Sequence, residues 1–469
     1  MNVQFNKIKL SILWNGKAKS LALIVVGLLV LQQFIAASSA FWITCFASAI
    51  QTGKEWHTPL GLFLLSMILP YVPGALALHL TNLWSFKVQK NGVQQYIKML
   101  FGRVEILNNN NLKNIHIMQM SKELPQYLSE LILFISQYLA QSLNLLFQLI
   151  AVSLILGSAY LLCLGLGVLL VFLYLRKTRF KNEKRAKIKQ DSQVLISALL
   201  NNSWGTIIVA NDYNFNLWKK SLIEAYEEGE LRNKEFSRDK EFGGALISMI
   251  GALPFLIYVL FQFYMNMPSQ TELITFAVLL PRIFQLFNVG TSICLLTKNI
   301  SSFKGRWTDL SDKMQTLNNS ASSLENRISY HDLSIKEHGG DNILTPQTFF
   351  NQVKSISKGL YSITGCNGAG KSSFLLKLKD QLKQQAFYLP ANGDLNFSFT
   401  THDNISTGQK IKRSVEEVLR LYGENNSSPI ILLDEWDANL DMKTRNELFE
   451  RIREKSSNSL IIEVRHSMY

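Results

Sequence analysis

The residues whose spacing is most informative about chemistry are 365–372, with the sequence Gly-Cys-Asn-Gly-Ala-Gly-Lys-Ser. An apolar run at 360–364 precedes them and predicts a strand, and a helical pattern begins at Ser373. Glycines let backbone N–H groups converge on phosphate oxygens, and the lysine adds a positive charge. This stretch, called the glycine loop below, therefore predicts a phosphate-binding site. The residues expected to contact the nucleotide are Gly365, Cys366, Asn367, Gly368, Ala369, Gly370, Lys371, Ser372 and Ser373.

A pair of acids follows a second apolar run. Residues 429–433 predict a buried strand, and Asp434 and Glu435 come directly after it. A strand that carries a carboxylate at its C-terminal tip is the Mg²⁺-binding element of enzymes with a phosphate loop. We therefore expect Asp434 and Ser372 to hold Mg²⁺, and Glu435 to act as the catalytic group that polarises an attacking water.

A third apolar run, residues 460–464, leads to His466, and we expect this histidine to contact the γ-phosphate as a second catalytic residue. Short apolar strands alternate with amphipathic helices from residue 328 to residue 469, which is typical of an α/β domain. The polar stretch 301–327 predicts a linker before it. The expected fold class is thus a membrane α-helical part followed by a phosphate-loop α/β domain of reduced size.

The first 300 residues hold long uncharged stretches and predict a transmembrane domain. Residues 131–175 carry no charge, and they are too long for one crossing because about 20 apolar residues span the bilayer core. We therefore divide them at Gly157 and Ser158. The six predicted membrane spans cover residues 21–50, 59–84, 131–155, 159–176, 242–267 and 272–297.

Basic residues flank these spans and account for much of the formal net charge of +13. Their position beside apolar segments favours a lipid surface as the partner and argues against a nucleic acid. The positive-inside rule places both termini in the cytoplasm and predicts a multi-pass protein of the inner (cytoplasmic) cell membrane. Two long segments, 85–130 and 176–241, are then cytoplasmic, and the turn expected at 211–215 is the best candidate for docking onto a cytoplasmic domain.

Three residues inside the spans are unusual for a membrane helix. Arg282 lies in the sixth span, where an arginine faces the bundle interior and a transport cavity or else snorkels from a helix end. Pro70 and Pro73 are expected to bend the second span, either as a packed kink or as a hinge.

Two further motifs follow the glycine loop in a characteristic order. Residues 406–409 have the sequence Ser-Thr-Gly-Gln, and residues 438–441 have the sequence Ala-Asn-Leu-Asp. With these, the chain resembles the ATP-binding cassette transporter family, in which the first motif is the signature and the second crosses a dimer interface. The residues to which this resemblance assigns roles are Ser406, Thr407, Gly408 and Gln409 at the nucleotide of the partner subunit, Asp441 in the dimer loop, and His466 as the switch histidine.

Six spans followed by one cassette resemble a half-transporter of the exporter type, and Trp436 after Glu435 is most like the bacterial cyclic-peptide and siderophore export branch. The chain departs from that family in two places. The segment between the glycine loop and residue 406 is too short for the usual helical subdomain, and Ala391 stands where a metal-contacting glutamine is expected. Asn392 is a substitute for that glutamine, and Tyr330 is a poorly aligned candidate for stacking on adenine.

The resemblance implies ATP and Mg²⁺ as cofactors and a second half-transporter as partner, with a homodimer as the default and a heterodimer as the alternative. The expected function is ATP-driven export of a peptide, a siderophore-like compound or another amphipathic molecule, powered by a transport-coupled ATPase. The alternative is an ATP-binding regulatory subunit without transport of its own. A channel or receptor has no motif in its favour.

Overall fold

A computed structural model describes residues 10–106, 110–201, 203–208, 211–265, 270–315, 324–340, 343–391, 395–397, 406–421, 430–438 and 440–465. The chain divides into two compact units. The helical unit comprises Met1–Tyr96 and Gln119–Asp312, and the sheet unit comprises Ile97–Met118 and Lys313–Tyr469. Each unit is described by itself.

Long helices make up the helical unit, and a 3₁₀ turn at Leu10–Trp14 precedes them. The helices of the first 315 residues are α1 (Lys17–Thr52), α2 (His57–Ile68), α3 (Tyr71–Leu100), α4 (Asn110–Met118), α5 (Leu124–Leu156), α6 (Ser158–Asn201), α7 (Trp204–Ile208), α8 (Asp212–Met265) and α9 (Gln270–Gln315). A π-helical turn, Gln119–Glu123, joins α4 to α5.

Five stretches of the described chain are long and apolar enough to cross a membrane. They are Lys17–Thr52, His57–Leu100, Leu112–Leu156, Asp212–Met265 and Glu272–Ser311. The predicted span at 159–176 lies within α6 but is not one of these five, and several side chains of α6 lie outside the described part of the chain.

Two helix breaks occur where the sequence contains a glycine or a proline. Gly157 separates α5 from α6 with φ of 102°, a conformation that glycine adopts without steric cost. The division predicted at Gly157 and Ser158 matches this break. At Leu69 and Pro70 a turn separates α2 from α3, although Leu69 keeps helical φ and ψ and His57–Leu100 is one apolar stretch, so the second predicted span, 59–84, is interrupted where a bend was predicted. Proline lacks the N–H that would continue the helical ladder, which accounts for the interruption at Pro70.

Small residues allow α6 and α8 to approach closely. A Cβ atom on Gly167 of α6 would lie 2.2 Å from the carbonyl oxygen of Gly251 on α8, a distance that no side chain can occupy. Helix α1 packs along α5, with Leu29 in one apolar cluster and Ala40 in another. Backbones in close contact at small residues are typical of helix packing in membranes.

The described strands of the sheet unit form a six-stranded mixed sheet with the order β2-β1-β3-β6-β5-β4. The strands are β1 (Leu333–Glu337), β2 (Ile343–Leu344), β3 (Gly359–Gly365), β4 (Ala386–Leu389), β5 (Ile430–Asp434) and β6 (Leu460–Val464). Strands β3, β6, β5 and β4 are parallel, and β1 is antiparallel to both β2 and β3. The carboxyl ends of the four parallel strands therefore meet at one edge.

Helices cover both faces of this sheet, and the alternation of side chains along the strands decides which face each residue occupies. The remaining helices are α10 (Pro346–Gln352), α11 (Lys371–Leu382), α12 (Thr407–Leu421) and α13 (Met442–Ser456). Leu432 and Ile462 pack with α11 on one face. Leu433 and Ile461 pack with α12 and α13 on the other.

The unit boundaries differ from the predicted domains, 1–300, 301–327 and 328–469. Helix α9 continues to Gln315, so the first half of the predicted linker is helical, while residues 316–323 lie outside the described part. Residues Ile97–Met118 belong to the sheet unit, because the 3₁₀ turn Val104–Ile106 lies against α11. This tertiary contact joins residues far apart in sequence, and no local pattern indicates it.

Candidate functional site

The glycine loop joins β3 to α11 at the edge where the parallel strands end. Its turn closes through a 3.1 Å hydrogen bond from the Ala369 N–H to the Cys366 carbonyl, and Gly368 and Gly370 have φ of 86° and 89°. Residues 365–368 are exposed, whereas Ala369 is buried. A concave loop that opens at a helix N-terminus is suited to an anion because the helix dipole and free N–H groups point toward it.

Lys371 lies over the glycine loop. Its Nζ donates hydrogen bonds to the carbonyl oxygens of Gly365, at 2.9 Å, and Cys366, at 3.2 Å. The ammonium group is thus held at the mouth of the loop, where it can meet a phosphate. Ser372 follows in the first turn of α11, and Ser373 is buried.

Asp434 is the acidic centre of this edge. It is the last residue of β5 and only 4% exposed. Its Oδ1 accepts a 2.9 Å hydrogen bond from Ser372, and its Oδ2 accepts a 2.8 Å hydrogen bond from Tyr388 of β4. Burial raises the pKa of Asp434, and the two hydrogen bonds oppose this without reversing it.

The pair of Ser372 and Asp434 offers the oxygen ligands that Mg²⁺ prefers. Among the described residues, no group of three or more His, Cys, Asp or Glu side chains could hold a metal alone. Magnesium commonly takes one or two carboxylates and completes its shell with water and substrate phosphates. A hydroxyl and a carboxylate in contact beside the glycine loop fit that mode, so the residues predicted as metal ligands are brought together.

Glu435 adopts a strained backbone conformation directly after β5. Its φ is 44°, which is uncommon for a residue other than glycine, and its N–H donates to the Val464 carbonyl at 2.9 Å. Such strain persists only where neighbouring structure fixes it, and it concentrates at functional sites. The Glu435 side chain is half-buried, and its charge is near enough to Asp434 to contribute to the raised pKa of that carboxyl.

A buried glutamate supports this strand end from the opposite face of the sheet. Glu463 of β6 is fully buried and accepts hydrogen bonds from Ser362 at 2.8 Å, Trp436 at 3.0 Å and Arg465 at 2.8 Å. The Arg465 guanidinium also lies 3.9 Å from the ring centroid of Phe449. Sequence reasoning missed this network, although an acid within the apolar run of β6 was a visible signal.

Hydrogen bonds from a neighbouring helix, α13, stabilise the loop that follows Asp434 and Glu435. Arg445 of α13 donates to the carbonyl oxygens of Asp437, at 3.3 Å, and Leu440, at 3.5 Å. Asp441, which the resemblance assigns to a dimer loop, is the exposed N-cap of α13 and accepts a hydrogen bond from the Thr444 N–H. Hydrogen bonds from the side chain and the N–H of Thr444 lower the pKa of the Asp441 carboxyl.

The predicted signature residues open α12. Ser406 precedes this helix, and its Oγ accepts a 3.4 Å hydrogen bond from the Gln409 N–H. The side chain of Thr407 lies outside the described part of the chain. Helix α12 packs on the face of the sheet opposite α11, with salt bridges from Lys412 to Glu447 and from Arg451 to Glu416. His466 also lies outside the described residues.

Two further residues singled out in the sequence are Tyr330, the poorly aligned candidate for stacking on adenine, and Ala391, which stands where a glutamine is expected. The Tyr330 hydroxyl accepts a 2.7 Å hydrogen bond from Lys377, and its ring meets Phe374 edge-on, so the tyrosine is held against α11. Ala391 follows β4 and brings no polar side chain to the edge, and Asn392 lies outside the described residues.

Polar side chains also occur within the long apolar helices. Arg282 of α9 is half-buried and donates to Gln285 of the same helix at 3.1 Å. On α5, the side-chain oxygens of Asn144 and Gln148 are buried and, within the described structure, have no hydrogen-bond partner. These two residues lie one turn apart, and Gln148 is 2% exposed.

Gln148→Leu is expected to raise the thermal stability of the chain. Leaving a buried polar group unpaired costs about 1–3 kcal/mol, and leucine removes that group while keeping a similar volume. The measurement is thermal unfolding of the detergent-purified chain. Gln137→Leu, an exposed amide on the same helix, is the matched control and should change the midpoint less. A lower midpoint for Gln148→Leu would show that the amide is hydrogen-bonded after all.

Comparison of the sequence with models of known protein families and with curated proteins finds no match.

Proposed function

We propose that the sheet unit binds and hydrolyses ATP with Mg²⁺, and that the chain is a membrane protein whose apolar helices form the transport part of an ATP-driven exporter. The observation that carries this proposal is the contact of Ser372 with Asp434 beside the glycine loop. Two segments distant in sequence meet at one edge of the sheet: β3, its glycine loop and α11 supply the proposed phosphate cradle and cation, and β5 supplies the acid of the proposed metal-binding pair.

Each residue has a distinct role in this proposal. The glycine loop and Lys371 bind the β- and γ-phosphates, and Glu435 accepts a proton from the attacking water. Ser372 and Asp434 hold Mg²⁺, which when bound neutralises charge on the phosphates. His466 is proposed to contact the γ-phosphate at the end of β6.

A second subunit is part of the proposal. Helix α12, which the signature residues open, lies on the opposite face of the sheet from α11. We therefore propose that the N-terminus of α12 meets the nucleotide of a partner subunit, and that the exposed Asp441 lies at the same interface. A second copy of the chain is the default partner, and a related half-transporter with a fuller cassette is the alternative.

The segment Ile97–Met118 offers a route from nucleotide to membrane. Its turn Val104–Ile106 lies against α11, the helix that begins with Lys371 and Ser372. Phosphate binding at the first turn of α11 would therefore shift the position of this segment, which continues in sequence into α3 on one side and α5 on the other. We propose this contact as the coupling element, in place of the turn expected at 211–215. There, Asn211 accepts a hydrogen bond from the Asn214 N–H at the start of α8.

Glu435→Gln is expected to lower Mg²⁺-dependent ATP hydrolysis at least about a hundredfold, because removing a general base typically costs that much. The full chain would be reconstituted in lipid vesicles and phosphate release measured. Nucleotide binding should persist in Glu435→Gln, and Lys371→Ala should lose it. Glu450→Gln, an exposed glutamate on α13, is the matched control. Unchanged hydrolysis in Glu435→Gln would contradict the proposed chemistry.

Two features favour the regulatory alternative: the segment between the glycine loop and residue 406 is too short for the usual helical subdomain, and Ala391 has no side-chain oxygen. Ala391 brings no metal-contacting oxygen to the end of β4, so hydrolysis could be slow and uncoupled from cargo. Stimulation of hydrolysis by amphipathic peptides in the same vesicles separates the two functions. A stimulated rate supports export of a peptide-like or siderophore-like cargo, whereas binding without stimulated turnover supports a regulatory subunit.

A further inference from the structure

The Tyr388 hydroxyl donates a hydrogen bond to one oxygen of the Asp434 carboxylate, which is expected to bind the metal. Asp434 accepts from Ser372 through Oδ1, at 2.9 Å, and from Tyr388 through Oδ2, at 2.8 Å. The two carboxylate oxygens are therefore differentiated, because Oδ1 faces the helix that begins after the glycine loop and Oδ2 faces β4.

The register of the sheet explains how a β4 residue reaches Asp434. Tyr388 pairs with Leu432 in the parallel β4–β5 ladder, and Asp434 lies two residues further along β5. Residues two apart in a strand point to the same face, so Tyr388, Leu432 and Asp434 all face α11. The diagonal distance between such neighbours is within reach of a long aromatic side chain.

Burial makes this hydrogen bond consequential. Asp434 is almost fully enclosed, and a carboxylate in such a place rotates or loses its charge unless its oxygens have partners. Ser372 and Asp434 would hold the metal together, and a Ser372 hydroxyl engaged there would not by itself fix the plane of the carboxylate. The Tyr388 hydroxyl on Oδ2 then keeps Oδ1 directed toward the glycine loop.

We propose that Tyr388 is a positioning residue for the metal site. It orients the Asp434 carboxylate from β4, the strand whose following residue Ala391 lacks the polar side chain expected there. This inference rests on the proposed nucleotide site and adds a residue to it. Partners that orient a metal ligand typically change metal affinity 10–100-fold when they are removed.

Tyr388→Phe tests the proposal because it removes the hydroxyl and keeps the ring. The expected result is a rise of about tenfold in the Mg²⁺ concentration that gives half-maximal hydrolysis. An independent readout is Mn²⁺ binding to the nucleotide-loaded full chain, followed by electron paramagnetic resonance, which should weaken by a similar factor. Binding of ATP in the presence of EDTA should stay within about twofold, because Tyr388 contacts the metal ligand and not the glycine loop.

Tyr361→Phe is the matched control. Tyr361 is another buried tyrosine of the same sheet, and its hydroxyl bonds with Glu337, away from Asp434. The proposal is overturned if Tyr388→Phe and Tyr361→Phe leave Mn²⁺ and Mg²⁺ affinity equally unchanged, or if Tyr388→Phe lowers thermal stability with no change in metal affinity. Absence of any metal-dependent nucleotide binding in the unaltered chain would instead overturn the nucleotide site itself, and with it this inference.

Discussion

Gly370→Ala is expected to destabilise the sheet unit by about 3 kcal/mol and to abolish nucleotide binding. Two costs act together at this position. The φ of 89° is in a region that alanine adopts only with strain, and a Cβ atom would lie 2.1 Å from the carbonyl oxygen of Arg327. Backbone atoms on that side cannot move as the end of a flexible side chain can, so the glycine loop must shift.

Two other glycines allow the cost of backbone strain to be measured apart from the cost of the steric contact. Gly339 and Gly368 have φ of 91° and 86°, yet a Cβ atom on either meets nothing within 4 Å. Their alanine variants should lose only the strain contribution, about 1 kcal/mol. The measurement is hydrogen exchange of the β3 amides in the purified full chain, together with binding of a fluorescent ATP analogue. Equal effects of Gly368→Ala and Gly370→Ala would contradict the role of the contact with Arg327.

Glu463→Ala is expected to destabilise the sheet unit by about 3–5 kcal/mol, because removing one member of a buried ion pair leaves the other without compensation. Glu463 is fully buried, and its loss would also deprive Ser362 and Trp436 of their acceptor. Trp436 follows Glu435, so loosening it should release the strained backbone at the proposed catalytic glutamate. Hydrogen exchange of β5 and β6 amides measures the stability, and ATP hydrolysis measures the second effect.

Glu416→Ala is the control for this change. Its salt bridge to Arg451 is 2.9 Å long, nearly the same as the bond from Arg465 to Glu463, but both partners are partly exposed. Exposed ion pairs contribute less than about 1 kcal/mol, so this variant should exchange almost as slowly as the unaltered chain. Similar losses of stability in Glu463→Ala and Glu416→Ala would indicate that burial does not determine how much Glu463 contributes to the stability of the sheet unit.

Local sequence patterns predicted strands, helices and helix breaks correctly where the residues that cause them lie within the same short segment. The glycine loop lies between a strand and a helix, because the strand-favouring residues Tyr361, Ile363 and Thr364 precede it and its glycines permit positive φ. Parallel strands bring their carboxyl ends to one edge, so Asp434, at the end of β5, lies close to Ser372, in the first turn of the helix that follows β3 and its loop. The break at Gly157 likewise follows from residues that the sequence displays.

The tertiary structure alone decided which distant residues support that edge. Tyr388 reaches Asp434 only because β4 lies beside β5 in one particular register, and Glu463 meets Trp436 because both lie on the α13 face. The docking of Val104–Ile106 on α11 joins segments more than 250 residues apart. Strand order, register and docking are set by the summed packing of whole faces, and local residue patterns do not encode them. The sequence by itself therefore determined the glycine loop between a strand and a helix and the acids at the end of β5, and the fold determined which side chains hold them in place.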